Sequence, residues 1–179
     1  MKFTETKIAG SWIVDMELIQ DDRGFFSRAW CEEEFASYGI TNRLSQANIS
    51  LSKFVGTIRG MHFQNGEYSE TKAVRCLRGA VFDVVLDLRP DSPTYCQWYG
   101  EELTAENRRM LVVPEGCAHG FQTLCDDSEM YYLISKPYSE KSHSGVRYND
   151  PAFNICWPLD LSNVSEKDAN YPDFKIANR

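Results

Sequence analysis

Three histidines are this chain's best candidates for proton transfer or metal binding. His62 lies in Arg59-Gly-Met-His-Phe-Gln64, a strand-like segment with polar groups that a buried structural strand would not need. His119 follows Pro114-Glu-Gly116-Cys-Ala, where proline and glycine predict a turn that presents the imidazole at a strand start. His143 lies in Ser-Glu-Lys-Ser-His-Ser-Gly, which predicts a polar loop. Taken singly, such histidines are more often structural or solvated than functional, and His62 is the strongest candidate.

A metal site is the first chemistry that these histidines allow. The spacing Pro114-x-Gly116-x-x-His119 matches the second half of the cupin metal signature, whose first half normally supplies His-x-His and then a glutamate. Here Gln64 replaces the second histidine, and Glu67 or Glu70 would have to complete the set. Two histidines with an uncertain acid are a weak ligand set, so the sequence argues against a bound metal.

Acid–base catalysis is the second option. It needs a base, an acid that orients the base, and a proton donor on the opposite face of the substrate. His62 could be the base, with orienting acids and phenols drawn from Asp83, Asp87, Asp168, Tyr131, Tyr132 and Tyr138. Phosphates or an oxyanion could be held by Arg23, Arg59, Lys72 and Lys167. Spacing alone does not choose among these groups.

The six cysteines show neither a C-x-x-C pair nor zinc-ligand spacing with histidine. Free thiols that behave as small apolar side chains are therefore the favoured interpretation. Cys117 stays open as a catalytic thiol, because it lies two residues before His119 and a nucleophilic cysteine needs a histidine partner.

The elements that must position these groups are mostly β-strands. Residues 79–89 predict a strand that Pro90 ends. Every second side chain from Ala80 to Leu88 is apolar, and Asp83 and Asp87 lie on the opposite face of the strand. A helix is predicted from Cys31 to Tyr38, and short capped turns or helices at Thr104-Ala-Glu-Asn and Ser165-Glu-Lys-Asp. Further strands are predicted in 10–19, 46–52, 55–59, 73–77, 95–99, 110–113 and 130–135. Many short strands with few helices predict an all-β sandwich or barrel.

Length and charge limit the classes of function. The chain has 179 residues without repeats or linkers, which predicts one domain over 1–179. Its 19 basic and 26 acidic residues give a net charge of −7, which argues against sequence-independent nucleic-acid binding but not against small anions. No apolar run is long enough to cross a bilayer, and the first residues lack the apolar core of a signal peptide, so we expect a cytoplasmic protein.

Blocks of residues spread in order over nearly the whole chain carry a resemblance to one family. They are Asp22-Arg23-Gly24-Phe25-Phe26, Gln46-Ala-Asn48-Ile-Ser50, Ile58-Arg59-Gly60-Met-His62-Phe-Gln64, Lys72, Arg78 to Arg89, Ser92-Pro93, Pro114 to Phe121, Tyr132, Tyr138, Asn149-Asp150-Pro151, Ile155 to Pro158 and Ser165 to Asp168. Any one block would be weak, but together they are specific. The chain resembles the dTDP-4-dehydrorhamnose 3,5-epimerases, cupin-fold enzymes of activated deoxysugar synthesis. The resemblance implies an all-β cupin or jelly-roll barrel of antiparallel strands with a few short peripheral helices.

The resemblance also implies a role for each matching residue. His62 resembles the general base that removes a proton beside the C4 ketone, with Asp168 polarising it. Lys72 resembles the cation that steadies the O4 enolate, and Tyr132 the acid that returns a proton to the opposite face. The implied substrate-contacting residues are Arg23, Arg28, Gln46, Asn48, Arg59, His119, Tyr138, His143 and Lys167.

The implied partners are a nucleotide-diphosphate ketosugar and a second copy of the chain. The family forms homodimers that exchange N-terminal segments, which places Arg23 and its neighbours at the partner's site. No metal or redox cofactor is implied, because the substrate carbonyl is the electron sink, and neither nucleic acid nor membrane is an expected partner. The cations Arg23, Arg59, Lys72 and Lys167 are expected to converge on one pocket.

The chain departs from the family pattern at four positions. Arg28 and His143 each stand where glutamate is usual, Glu70 where glutamine is common, and Cys117 where phenylalanine is usual. Arg28 and His143 are expected to lie near the nucleotide and to make the pocket more positive. They therefore affect which nucleobase and sugar are bound more than which class of reaction is catalysed. The open alternatives are epimerisation at C3 or C5 only, a CDP-, UDP- or GDP-linked ketosugar, and a non-catalytic or metal-dependent cupin.

Overall fold

The computed structural model describes residues 1–176. Within that range the strands are β1 (Lys2–Glu5), β2 (Trp12–Asp15), β3 (Ile19–Asp21), β4 (Gly24–Phe26), β5 (Gln46–Ser52), β6 (Ile58–Gln64), β7 (Lys72–Arg78), β8 (Ala80–Asp87), β9 (Trp98–Thr104), β10 (Met110–Val113), β11 (Cys117–Thr123), β12 (Ser128–Ile134) and β13 (His143–Gly145). The helices are α1 (Glu32–Ala36) and α2 (Glu166–Ala169), with a single 3-10 turn at Gly66–Tyr68. No helix in this range is long and apolar enough to span a membrane.

Two antiparallel sheets face each other. One has the order β1-β2-β10-β7-β12-β5 and the other β13-β6-β11-β8-β9, while β3 and β4 form a separate hairpin. The main core lies between the sheets and joins Val74 and Met130 of the first sheet to Val85 and Phe121 of the second. This jelly-roll arrangement confirms the predicted all-β cupin-type fold.

The outer faces of both sheets are covered as well. Phe35 of α1 packs with Val112 on the first sheet, and Phe153 packs with Leu86 on the second. Burial on both sides explains why β8 is almost continuously apolar. It also places Asp83 and Asp87 in the interior, where both are completely buried.

Most predicted elements are present with shifted ends. The helix covers Glu32–Ala36 rather than Cys31 to Tyr38. Residues 55–57 precede β6, which begins at Ile58 and continues through Gln64. Ser165 caps α2 as its sequence predicts, accepting a hydrogen bond from the Asp168 N–H at 3.1 Å. The loop prediction at His143 is wrong, because residues 143–145 pair with Gln64, Phe63 and His62 as the edge strand β13.

Candidate active site

A cavity of about 790 Å³ opens between the two sheets. It is lined from the first sheet by β5, β7 and β12, from the second by β6, β11 and β13, and at one side by residues 163–168. The cavity brings together the predicted site residues Gln46, Asn48, Arg59, His62, Lys72, His119, Tyr132, Tyr138, His143, Lys167 and Asp168. The jelly roll thus gathers residues that are more than a hundred positions apart in the sequence.

Two glycines allow β6 and β11 to approach closely at this cavity. A Cβ atom on Gly60 would lie 2.5 Å from Cα of Gly120, and Gly60 has φ +125°, which L side chains rarely adopt. Two residues further along β6, His62 pairs in register with His119 of β11. The close approach therefore places two imidazoles on neighbouring strands of one wall.

His62 is held by Asp168. Nε2 of His62 lies 2.7 Å from Oδ1 of Asp168, and Oδ2 accepts a hydrogen bond from the Gly60 N–H at 3.1 Å. Burial tends to raise the pKa of Asp168, but the hydrogen bonds from His62 and Gly60 outweigh it and hold that pKa below its ordinary value. A carboxylate only accepts hydrogen bonds, so Nε2 carries a proton and Nδ1 is the basic atom of the neutral ring.

His119 forms a second pair, with Asp83 of β8. Its Nε2 lies 3.0 and 2.9 Å from the two carboxyl oxygens. Burial raises the pKa of Asp83, and the charge of His119 only partly opposes that effect. This pair is much more deeply buried than the first.

Tyr132 lies on β12, on the wall opposite His62. Its hydroxyl is 2.9 Å from Oγ of Ser50, and its ring meets the His119 ring edge-on at 6.2 Å. Burial raises the pKa of the Tyr132 phenol to about 12, with the Ser50 hydrogen bond opposing. The phenol is therefore protonated at neutral pH and can act as a proton donor.

Lys72 supplies a buried positive charge. Its Nζ lies 3.0 Å from Oε1 of Glu70 and donates a hydrogen bond to the carbonyl oxygen of His62 at 3.1 Å. Glu70 also accepts a hydrogen bond from Nε2 of Gln64 at 2.8 Å. These contacts fix an ammonium group beside the His62 backbone, where it can face a developing oxyanion.

Polar residues continue toward the cavity mouth. Nζ of Lys167 lies 3.2 Å from Nδ1 of His143, and the exposed Tyr138 ring is 5.7 Å from the His143 ring. Arg59 is held by Ser52 Oγ at 2.9 Å and by the Leu51 carbonyl at 3.0 Å. Gln46 and Asn48 line the same cavity from β5. Cations and uncharged polar groups thus line this part of the cavity, which suits an anionic ligand.

Arg23 and Arg28 lie outside the cavity of their own chain. Arg23 is exposed next to the β3–β4 hairpin and pairs with Asp21, while Arg28 pairs with Glu34. Within one chain Arg23 is therefore separate from the other cations, and its place in a partner's cavity and the added positive charge of Arg28 there stay predictions. The physical reason is that the hairpin forms its own small sheet and turns its arginine toward the acid within the same turn.

Several other candidates have structural surroundings. Asp87 is held by Arg89, Ser92 and Thr94, and although burial opposes them, these bonds lower its pKa to about 2. Burial raises the pKa of the Cys117 thiol to about 12, so a reactive thiolate at this position is not supported. Tyr131 packs against the outer cluster beside α1.

The residues proposed for a metal site are engaged elsewhere. Gln64 and Glu70 hydrogen-bond to each other, and Glu70 pairs with Lys72. Across residues 1–176, no group of three or more His, Cys, Asp or Glu side chains is arranged to hold a metal ion.

Residue types and spacing did not identify Ser50 as a site residue or Glu70 as the partner of Lys72. Ser50 had a usable signal, because Gln46, Asn48 and Ser50 share one parity of β5 and face the cavity together. Glu70 had no such signal, because an acid two residues before the first lysine of a strand does not show in the sequence that the two side chains form a buried ion pair.

Comparisons with known proteins point to one family. The family model described as dTDP-4-dehydrorhamnose 3,5-epimerase matches residues 5–175. The chain is 42% identical over 175 residues to the dTDP-4-dehydrorhamnose 3,5-epimerase of Sinorhizobium fredii, covering 97% of this chain and 90% of that protein. It is 39% identical over 169 residues to a dTDP-4-dehydrorhamnose 3-epimerase of Streptomyces niveus, covering 94% and 81%.

A solved structure is equally similar. It is the Bacillus anthracis dTDP-4-dehydrorhamnose 3,5-epimerase with TDP and pyrophosphate bound, which has a TM-score of 0.92 and 40% identity. The match covers 97% of this chain and 99% of that one. The likeness therefore extends over the whole jelly roll and includes the strands that form the cavity.

Proposed function

Because the chain belongs to the dTDP-4-dehydrorhamnose 3,5-epimerase family, we propose that it is an isomerase that inverts carbons beside the C4 ketone of a nucleotide-linked sugar. The proposed substrate is dTDP-4-dehydro-6-deoxyglucose, and the proposed changes are at C3 and C5. The observation that carries the proposal is the placement of a base and an acid on opposite walls of one cavity, His62 on β6 and Tyr132 on β12.

The reaction follows from the acidity of hydrogens next to a ketone. Nδ1 of His62 takes the proton from C3 or C5, and the electron pair moves into the C4 carbonyl to form an enolate. Asp168 stabilises the imidazolium that results, and Lys72 stabilises the enolate oxygen. Tyr132 then donates its proton to the other face of the same carbon, which inverts it. The substrate carbonyl accepts the electrons, so this route needs no cofactor.

Deuterium exchange tests the proposal. The protein is incubated with dTDP-4-dehydro-6-deoxyglucose in heavy water, and deuterium at C3 and C5 is followed by NMR. We expect incorporation at both carbons. Incorporation at C3 alone would make the protein a mono-epimerase, and incorporation at neither would refute the proposal for this substrate.

The second candidate function is epimerisation at one carbon only. The similarity of the chain to the Streptomyces niveus 3-epimerase supports this candidate. In this reading Tyr132 reaches only one of the two carbons. CDP-, UDP- and GDP-linked ketosugars are separated from the dTDP sugar by the same exchange assay run on each. A non-catalytic cupin would bind nucleotide without exchange, and a metal-dependent one would lose exchange on treatment with a chelator.

We also propose that the chain acts as a homodimer in which the β3–β4 hairpins are exchanged. The hairpin exposes Ile19, Phe25 and Phe26, and it carries Arg23 away from the cavity of its own chain. Apolar side chains exposed together favour a protein contact, and a contact with a second copy would supply Arg23 to that copy's cavity. Arg28 would be carried to the same place.

Mixing two defective variants tests this exchange. His62→Asn removes the base and Arg23→Ala removes the arginine, so each homodimer has impaired sites. If Arg23 acts in the partner's cavity, a mixed dimer has one site with both residues, and activity at low substrate concentration rises on mixing. If Arg23 acts within its own chain, or if the protein is monomeric, mixing restores nothing.

A further inference from the structure

His143 lies between the proposed reaction centre and the mouth of the cavity. Its ring centroid is 5.3 Å from that of His62 and 5.7 Å from that of the exposed Tyr138. The edge strand β13 fixes its backbone, because His143 pairs in register with Gln64 and its N–H donates to the Ser139 carbonyl at 2.9 Å. A ligand that reached from His62 to Tyr138 would pass this imidazole.

The contact with Lys167 sets the hydrogen-bonding polarity of His143. A lysine ammonium group can donate hydrogen bonds but cannot accept them. Nδ1 of His143, 3.2 Å from Nζ of Lys167, must therefore be the acceptor and carry no proton. In a neutral imidazole the proton then lies on Nε2. Burial lowers the pKa of His143, and the nearby charge of Lys167 lowers it further, so the neutral ring is favoured.

The Nε2–H of His143 is available to a ligand. No hydrogen bond from this atom to another residue is found among residues 1–176. His62 is also protonated on Nε2, but there Asp168 accepts that proton and leaves Nδ1 as a free acceptor. Two adjacent residues of α2, one anionic and one cationic, thus leave an acceptor nitrogen on His62 and a donor N–H on the neighbouring His143.

We propose that His143 is a specificity-determining residue that donates a hydrogen bond from Nε2 to an acceptor oxygen of the nucleotide. The inference rests on the proposed function, since it takes the ligand to be a nucleotide-linked sugar. A glutamate at this position would only accept hydrogen bonds and would require a donor on the ligand. The acceptor is a diphosphate oxygen or a carbonyl of the base, which share the same chemistry.

Binding measurements on matched variants test the donor role. Dissociation constants for TDP and for pyrophosphate are measured by calorimetry with the full-length protein, His143→Gln and His143→Glu. Glutamine keeps an N–H donor, so we expect its TDP dissociation constant to stay within about threefold of the unsubstituted protein, while glutamate weakens TDP binding by about tenfold or more. TDP binding by His143→Glu as tight as in the unsubstituted protein, or equal weakening by glutamine and glutamate, would overturn the proposal.

The pyrophosphate arm identifies the acceptor. A diphosphate oxygen predicts that His143→Glu weakens pyrophosphate and TDP together, whereas a base carbonyl predicts that only TDP binding is weakened. Either result supports a donor at position 143.

A second background separates this effect from a loss of the Lys167 charge. His143→Glu could pair with Lys167 and neutralise it, so the substitution is repeated in Lys167→Gln. We expect TDP binding to weaken by about a further fivefold, because the introduced carboxylate and the nucleotide oxygen are both hydrogen-bond acceptors. No further weakening would contradict the donor role and assign the effect to Lys167.

Nitrogen-15 NMR of the free protein reports the tautomer directly. We expect both His143 and His62 to be protonated on Nε2. The nitrogen-15 resonance of Nδ1 of His143 should also be shifted by the hydrogen bond from Lys167. A proton on Nδ1 of His143 would overturn the inference alone. Failure of the unsubstituted protein to bind TDP and to exchange deuterium would instead remove the proposed function, and this inference with it.

Discussion

Two His–Asp pairs have their histidines on neighbouring strands of the same wall and differ mainly in depth. The His62 side chain is 32% exposed and Asp168 6%, whereas His119 is 6% exposed and Asp83 0%. The contact distances are similar, 2.7 Å in the first pair and 2.9 Å in the second. The same two residue types therefore meet at similar distances, one pair open to the cavity and one enclosed.

The difference shows how burial and hydrogen bonding divide the roles. Asp168 accepts hydrogen bonds from a backbone N–H and from His62, so its carboxylate stays ionised and could stabilise an imidazole that gains a proton. At Asp83 no backbone hydrogen bond within residues 1–176 offsets the effect of burial, and the pKa of Asp83 is raised. We infer that the open pair performs proton transfer, while the enclosed pair orients His119 against the Tyr132 ring.

Tyr132→Phe should have the largest effect on inversion. Removing the phenol leaves the His62 wall intact, so deuterium exchange into the substrate continues while formation of the inverted product falls by about 10³-fold. Both rates are followed by NMR in heavy water. Tyr131→Phe, which changes a phenol on the outer side of the sheet, is the matched control and should leave both rates unchanged. Equal loss of exchange and inversion would argue against Tyr132 as the acid.

The two acids should differ in their effect on rate. Asp168→Asn removes the charge that stabilises the His62 imidazolium, so we expect kcat to fall by about 100-fold. Asp83→Asn keeps a hydrogen-bonding group next to His119 and should change kcat by less than about tenfold. Steady-state kinetics of the two variants at saturating substrate give the comparison. A larger loss in Asp83→Asn would reverse our assignment of the two pairs.

The order should reverse for stability. Asp83→Ala leaves an enclosed imidazole without its partner and should lower the free energy of unfolding by about 3 kcal/mol. Asp168→Ala leaves a more exposed imidazole that water can reach, and the expected loss is about 1 kcal/mol. Urea unfolding at one fixed protein concentration measures both. Equal losses would mean that depth does not distinguish the pairs.

The pH dependence of stability should have opposite signs for the two acids, and this is the smallest effect. The pKa of Asp168 is lowered in the folded protein, so its contribution to stability is present above the ordinary pKa and is lost as the pH falls through the folded-state value. The pKa of Asp83 is raised, so ionising it costs stability as the pH rises toward that value. Acidification should therefore bring the unsubstituted protein closer in stability to Asp168→Asn and improve it relative to Asp83→Asn. Parallel pH profiles would contradict the assigned directions.

The sequence predicted the elements better than the contacts between them. Short strands bounded by Gly, Pro and Asn were visible as patterns, and the His62 segment is a strand as expected. The choice of Asp168 over Asp83 and Asp87 was not available from spacing, because the contact joins residues 106 positions apart and forms only when α2 lies against β6. Only the resemblance to a family pointed to Asp168.

Two residues show how packing decides the surroundings of a side chain. His143 looked like a loop residue because its neighbours are polar, yet an edge strand at a cavity mouth needs few apolar side chains. Arg23 is a cation in a family motif, and the β3–β4 hairpin holds it outside the cavity of its own chain, so only the cavity of a second copy could receive it. Local pattern describes an element, whereas packing decides what the element faces.

Deuterium exchange by His62→Asn tests the central claim most directly. Under saturating dTDP-4-dehydro-6-deoxyglucose in heavy water, we expect exchange at C3 and C5 to fall by about 10³-fold or more, with TDP affinity within about threefold of the unsubstituted protein. His119→Asn, the same change in the enclosed pair, should retain far more exchange than His62→Asn. Exchange that survives in His62→Asn, or that is lost equally in His119→Asn, would contradict the assignment of the open His62–Asp168 pair as the base.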